Sequence, residues 1–80
     1  MNDQERDILR REILSLIRQE HNRWTAIEKR GCSLGFDFAT SNTVKRQFYG
    51  YLLPFGYVER VERGRYALTE KGKRLLALLS

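Results

Sequence analysis

Catalysis at neutral pH needs a nucleophile beside a base, or a metal held by several ligands, and this chain carries little of either. It has one histidine, His21, and one cysteine, Cys32. His21 follows a helical run, at an end where the helix dipole favours a cation, and no motif sets a carboxylate and a nucleophile around it. Cys32 reads as a core thiol or a bystander; alone it forms no internal disulfide, and with one histidine it builds no four-ligand zinc site. No glycine-rich phosphate loop of the P-loop or dinucleotide type is present. The sequence predicts no enzyme, no metal and no cofactor, and it shows no sign of a small-molecule ligand. The chemistry it does carry is that of guanidinium, ammonium, amide and hydroxyl groups. These fall in Ser41, Asn42, Thr43, Lys45, Arg46, Gln47 and Tyr49, and again in Arg60, Arg63 and Arg65 around Gly64. Such groups bind anions and make paired hydrogen bonds to planar acceptor edges.

The charge distribution points the same way. The formal charge is +5, but residues 1–20 hold four arginines against five acids, so the rest of the chain carries +6. A basic body behind a near-neutral first segment is the asymmetry of an anion-binding face. With 41% hydrophobic and 31% charged residues the composition is globular. One proline and scattered glycines leave no linker or repeat, so residues 1–80 read as one domain. A chain this short buries a limited core, and its stability is modest or shared with a partner chain. Its longest apolar run, Leu75 to Leu79, is far shorter than the roughly 20 residues that span a bilayer. The polar start lacks the basic region of a signal peptide, and the expected location is cytoplasmic.

The positioning elements follow from caps and periodicity. Asn2 and Glu5 have capping-box spacing at the head of a helix over Asn2 to Glu20. Leu9, Ile13, Leu16 and Ile17 form its stripe, with Ile8 and Leu14 flanking on either side. That apolar arc fits either a dimer contact or a helix buried all round. Thr25 and Glu28 predict a second capping box and a short helix from Ala26 toward Cys32, with Ile27, Gly31 and Leu34 on one face. Trp24 before it staples the entry or sits in a short strand. Cys32 to Thr40 is a connector with Phe36 and Phe38 as anchors. A third helix starts among Thr40, Ser41 and Asn42 and runs to Leu53, just ahead of Pro54. Val44, Phe48, Tyr51 and Leu52 form its core face, with Phe55 just beyond. Asn42, Thr43, Arg46, Tyr49 and Gly50 face outward, flanked by Lys45 and Gln47. Tyr57 to Glu62 and Arg65 to Thr69 read as strands joined at Arg63-Gly64. The expected register sets Val61 opposite Tyr66, Glu59 opposite Leu68, Arg60 opposite Ala67 and Glu62 opposite Arg65. Thr69 caps a last helix, Glu70 to Leu79, whose Gly72, Leu75, Leu76, Leu78 and Leu79 share a broad face while Lys73 and Arg74 look outward. Ile8, Leu14, Leu75, Leu76, Leu78 and Leu79 are the expected dimer surface.

The fold class is α+β, mostly helical, in the order helix, helix, helix, hairpin, helix. Residues Thr43 to Arg60 resemble the recognition helix, closing glycine turn and first wing strand of the winged helix-turn-helix family. Arg65-Tyr-Ala-Leu-Thr-Glu-Lys-Gly-Lys-Arg-Leu-Leu is similar to the "Y-x-L-T-x-K-G-x-x-L-L" junction of its small bacterial, archaeal and viral regulators. The resemblance covers most of the chain, and its motifs are largely structural. The connector Cys32 to Thr40 departs from it, being longer than the usual short turn.

The resemblance implies a protein of double-stranded DNA, because a major groove about 12 Å wide admits a helix whose Arg and Asn side chains match guanine and adenine edges. Arg46 and Asn42 are the expected base readers, Asn42 serving equally well as an N-cap. Ser41, Thr43, Lys45, Gln47 and Tyr49 join them on the helix, with Tyr49 equally suited to pack on the wing. Arg60, Arg63, Gly64 and Arg65 are the wing contacts to backbone or minor groove. A homodimer reading two half-sites about 34 Å apart, and repressing transcription by occupancy, is the simplest mechanism. The alternatives are a winged-helix protein-interaction module and an accessory DNA role in replication, partition or packaging.

Overall fold

The computed structural model describes residues 2–19, 22–33 and 35–80. The readings that fall on Glu20, His21 and Leu34 lie outside them. In chain order the elements are α1 (Asp3–Arg18), α2 (Trp24–Cys32), α3 (Ser41–Gln47), a π-helical turn (Phe48–Leu52), β1 (Val58–Glu62), β2 (Arg65–Leu68) and α4 (Glu70–Leu79). The domain is thus α+β and mostly helical, with a two-stranded antiparallel hairpin.

The expected capping box opens α1: Glu5 N donates to Asn2 Oδ1 at 2.8 Å and Asn2 N to Glu5 Oε1 at 3.0 Å. Leu9, Ile13, Leu14 and Ile17 of α1 are buried against Ile27, Val44, Phe48, Leu52, Val58, Tyr66 and Leu76. Leu14 therefore belongs to the protein's own core, which corrects its place on a dimer surface. Leu76 is corrected for the same reason, because α4 packs on α1 and leaves it 4% exposed. Leu75 and Leu79 are half-buried, Leu78 is 82% exposed.

The Thr25 capping box does not form. The second helix starts earlier, at Trp24, with Arg23 in the cap position and no side-chain cap bond. The physical reason lies across the fold: residues 22–24 run antiparallel to the hairpin. Trp24 N donates to Gly64 O at 2.8 Å and Tyr66 N to Asn22 O at 2.9 Å, which satisfies a helix-terminal N–H from another element. Glu28 is drawn instead to Ser41, whose hydroxyl donates to Glu28 Oε2 at 3.0 Å.

Thr40 caps α3, its hydroxyl accepting from Thr43 N at 3.2 Å. The expected α-helix to Leu53 is corrected over its last part, where Leu53 N donates to Phe48 O at 2.9 Å in π register. Steps of four residues overshoot an α-helical turn by about 40°. The wider π turn offsets that drift and keeps Val44, Phe48 and Leu52 all fully buried. It also precedes Pro54, whose ring excludes the carbonyl four residues earlier from ordinary helical register.

The hairpin register keeps the expected closing pair, Glu62 with Arg65, and differs from expectation beyond it. Val58 pairs with Leu68, Glu59 with Ala67, Arg60 with Tyr66 and Glu62 with Arg65, with an irregularity between Arg60 and Glu62. Val61 is the extra residue of this bulge and turns 55% of itself to solvent, while Val58 takes the core position. The turn itself is as read from the sequence, with Gly64 at φ 75. Thr69 caps α4 through Gly72 N at 3.0 Å. A Cβ at Gly72 would lie 1.9 Å from Tyr57 O, so only glycine lets α4 approach the turn that leads into β1. No described helix is long and apolar enough to cross a membrane.

Candidate nucleic-acid interface

The N-terminal half of α3 lies on the surface. Asn42, Lys45 and Arg46 are exposed and stand at i, i+3 and i+4, so they share one face of the helix. With Thr40 as the N-cap, the Asn42 amide makes no capping bond and has no hydrogen-bond partner among the described residues. Among the described residues neither Lys45 nor Arg46 has a carboxylate within 4.0 Å, and the same holds for Arg23, Arg60 and Arg63. Ser41 and Thr43 are engaged locally: Ser41 with Glu28, Thr43 with Thr40, the two hydroxyls 2.8 Å apart.

Gln47 does not belong to this face. It is 8% exposed, and its Oε1 accepts from Arg10 Nε at 2.7 Å. The Arg10 guanidinium also lies 3.4 Å from the centroid of the Tyr51 ring. Burial pulls the Arg10 pKa below its usual value, the Tyr51 hydroxyl opposing that shift. The π turn following Gln47 and a cation contributed by α1 together draw the amide inward. Tyr51 in turn stacks on Tyr57 at 5.3 Å, and Lys71 sits 4.6 Å from the Tyr57 ring centroid. The hydrogen bond between the two phenols, with burial second, pushes the Tyr51 pKa up. This ladder ties α1, the π turn, the turn before β1 and α4 together behind the exposed face.

Tyr49 joins helix to hairpin. Its ring lies 4.8 Å from that of Trp24, and its hydroxyl is 3.4 Å from that of Tyr66. Phe48 meets Tyr66 edge-on at 4.7 Å and Trp24 at 5.1 Å. Burial and the Tyr66 hydroxyl push the Tyr49 pKa up to about 12, against the pull of Arg60. Through Tyr66 of β2 the hairpin is packed against the π turn that continues α3. Tyr49 both packs on the hairpin and remains 41% exposed.

Arg60 and Arg63 are exposed, Arg63 at the turn beside Gly64. Arg65 is half-buried and ion-paired with Glu62. The structure thus brings together Asn42, Lys45 and Arg46 on one face of α3 and ties Tyr49 to the hairpin through Tyr66, and it removes Gln47. Sequence reasoning did not assign Arg10 or Arg23 to any role. Arg10 is detectable only through a contact between residues distant in the chain. Arg23 sits opposite Arg65 in an antiparallel bridge, and its adjacency to Trp24, already a candidate short strand, was the available signal.

Phe36 and Phe38 stack on each other at 5.0 Å, Phe36 being 41% exposed and Phe38 packed against the core. Among the described residues no three His, Cys, Asp or Glu side chains gather as a metal site. Cys32 is exposed. No protein-family model, curated protein or solved structure matches this chain.

Proposed function

We propose that this chain is a winged helix-turn-helix protein that binds double-stranded DNA, with α3 as the recognition helix and the β1-β2 hairpin as the wing. The reading is supported above all by the exposed α3 face. Lys45 and Arg46 stand there without carboxylate partners among the described residues, beside Asn42, and the hairpin carrying Arg60 and Arg63 packs through Tyr66 on the π turn that continues the helix. A solvated charge face of a small basic protein would show the same residue types. The combination of a helix able to enter a groove with a basic hairpin packed on the turn that continues it favours DNA.

In this role Arg46 offers a bidentate fork to guanine and Asn42 a donor and acceptor pair to adenine. Lys45, Arg60 and Arg63 neutralise phosphates and fix the register. Sequence-specific occupancy of a promoter, repressing transcription, is the simplest regulatory mechanism. A second copy joined through Leu78, with half-buried Ile8, Leu75 and Leu79 around it, makes the target two-fold. Leu78 at 82% exposure is the observation that favours this dimer.

Selection from a randomised duplex pool tests the proposal. The wild type enriches a defined motif, whereas Arg46→Ala binds duplex without enriching it. Failure of the wild type to retain any duplex overturns the DNA reading and favours a protein-interaction module.

A further inference from the structure

The bridge between the α2 entry and the hairpin sets two arginines face to face. Arg23 and Arg65 are partners in an antiparallel bridge. It is flanked by the bonds Trp24 N to Gly64 O and Tyr66 N to Asn22 O, the pattern of a non-hydrogen-bonded pair. At such a site the Cα atoms lie about 4.5 Å apart and both side chains leave the same face of the sheet. Like charges directly opposite each other in a sheet are destabilising. The neighbouring Glu62, paired with Arg65 across the hairpin, supplies one carboxylate to Nη1 of Arg65 and none to Arg23.

A second observation is independent of the register. Arg65 Nε is shielded from solvent and has no hydrogen-bond partner among the described residues, although the side chain as a whole is 41% exposed. A shielded donor without a protein partner is a local cost that calls for a reason. Since Glu62 takes Nη1, the edge formed by Nε and Nη2 remains, and this is an edge through which a guanidinium grips two oxygens at once. Presenting that edge to an anion requires the half-exposed side chain to rotate Nε out of its shielded position. Trp24, next to Arg23 in sequence, meets Tyr49 of the π turn at 4.8 Å, so the bridge that carries the arginine pair lies at the root of the hairpin, near the turn that continues α3.

We infer that Arg23 and Arg65 form a clamp for a single phosphodiester group of the duplex, the phosphate neutralising the pair and engaging the Nε edge of Arg65. This inference rests on the DNA-binding reading for the source of the phosphate, and on the arginine pair alone for the anion. The clamp adds Arg23 to the contact surface and gives Arg65 a part distinct from Arg63 at the wing tip.

Two arms test it. The first follows the Arg65 Nε–Hε resonance, assigned through Arg65→Lys, while inorganic phosphate replaces chloride at constant ionic strength. The resonance shifts in the wild type and does not shift in Arg23→Gln. No shift in the wild type, or an equal shift in Arg23→Gln, overturns the clamp. The second arm measures duplex affinity against salt for the wild type, Arg23→Gln, Arg65→Gln and the double variant. Each single change flattens the salt slope by about one. The double variant is weakened no more than about twofold beyond the weaker single variant, because both act on one phosphate. Multiplying losses and a slope change of about two overturn the shared clamp in favour of two separate phosphates. Unchanged affinity in both single variants, with Arg46→Ala still losing sequence preference, overturns the clamp while the DNA reading stands. If the wild type binds no duplex, the DNA reading and the phosphodiester source fail together, and the phosphate arm alone decides whether the arginines bind an anion. Thermal melts at low salt serve as the folding control: relief of the like-charge contact keeps both glutamine variants at least as stable as the wild type.

Discussion

Replacing Gly72 by alanine sets two effects of opposite sign against each other. Helix propensity alone predicts that Gly72→Ala stabilises α4 by about 1 kcal/mol. The packing predicts the reverse. The new Cβ would stand 1.9 Å from Tyr57 O and 2.9 Å from Tyr57 C, both backbone atoms that cannot swing aside like a side-chain tip. Reaching the 3.0 Å that real Cβ atoms respect moves α4 or the Tyr57 peptide by about 1 Å. That shift strains the joint where Thr69 N donates to Tyr57 O at 3.2 Å and Thr69 Oγ1 to Gly56 O at 2.6 Å. Overpacking costs about 1–3 kcal/mol and a lost cap about 1 kcal/mol. With a clash against backbone the packing cost falls at the upper end, so the net loss is about 2–3 kcal/mol after the propensity gain. For a domain of this size that lowers Tm by roughly 10–20 °C. Thermal and denaturant melts monitored by circular dichroism measure it. Gly50→Ala is the control, since the nearest heavy atom to a Cβ there is Arg46 Cγ at 4.0 Å, and it is expected to be neutral or mildly stabilising. A Gly72→Ala protein that melts at or above the wild-type temperature refutes the close approach of α4 to Tyr57.

Three further outcomes are expected. Arg10→Met leaves the buried Gln47 carbonyl without its donor and costs about 1–3 kcal/mol in denaturant melts; an unchanged midpoint contradicts the anchoring role given to Arg10. Tyr49, whose pKa is pushed up to about 12 from 10.0, favours the folded state while both states keep the phenol protonated. Its contribution is full below pH 10 and is lost as pH rises through about 12, and tyrosinate absorbance should show a tyrosine titrating near 12 that is absent in Tyr49→Phe, while the raised Tyr51 remains. Leu78→Glu leaves monomer stability within about 0.5 kcal/mol but halves the mass in solution, whereas Leu76→Ala costs about 2–5 kcal/mol. A wild type that is already monomeric at high micromolar concentration rules out the preformed dimer.

Local signals in the sequence translated into structure where all the interacting residues were close in the chain. Asn2 with Glu5 and Thr69 with Gly72 each complete their bonds within one turn, and both caps formed as read. Gly64 at the hairpin tip is equally self-contained. Elsewhere a distant partner decided the outcome. Thr25 and Glu28 have the spacing of a capping box, but strand pairing by Asn22 to Trp24 starts the helix earlier and Ser41 takes up the glutamate. Gln47 lies beside outward-facing residues on an ideal helix, yet the π turn and Arg10 bring it inside. Val61 alternates correctly for a core position, and the bulge turns it out. Leu14 and Leu76 looked surplus because the width of the α1 and α4 packing is not visible in either helix alone. Of the candidate interface, Lys45, Arg46, Arg60 and Arg63 were legible as exposed cations. Arg23 was not, because its importance comes from the register against Arg65.

The DNA-binding account stands or falls most directly on the affinity of the wild type and Arg46→Ala for a mixed-sequence duplex, measured from low to physiological salt. With Arg23, Lys45, Arg60, Arg63 and Arg65 near phosphates, and the first and last sharing one, log affinity should fall against log salt with a slope of about −3 to −4. Arg46→Ala should keep most of that slope while losing preference among sequences. No measurable duplex binding at low salt, or an affinity indifferent to salt, contradicts it.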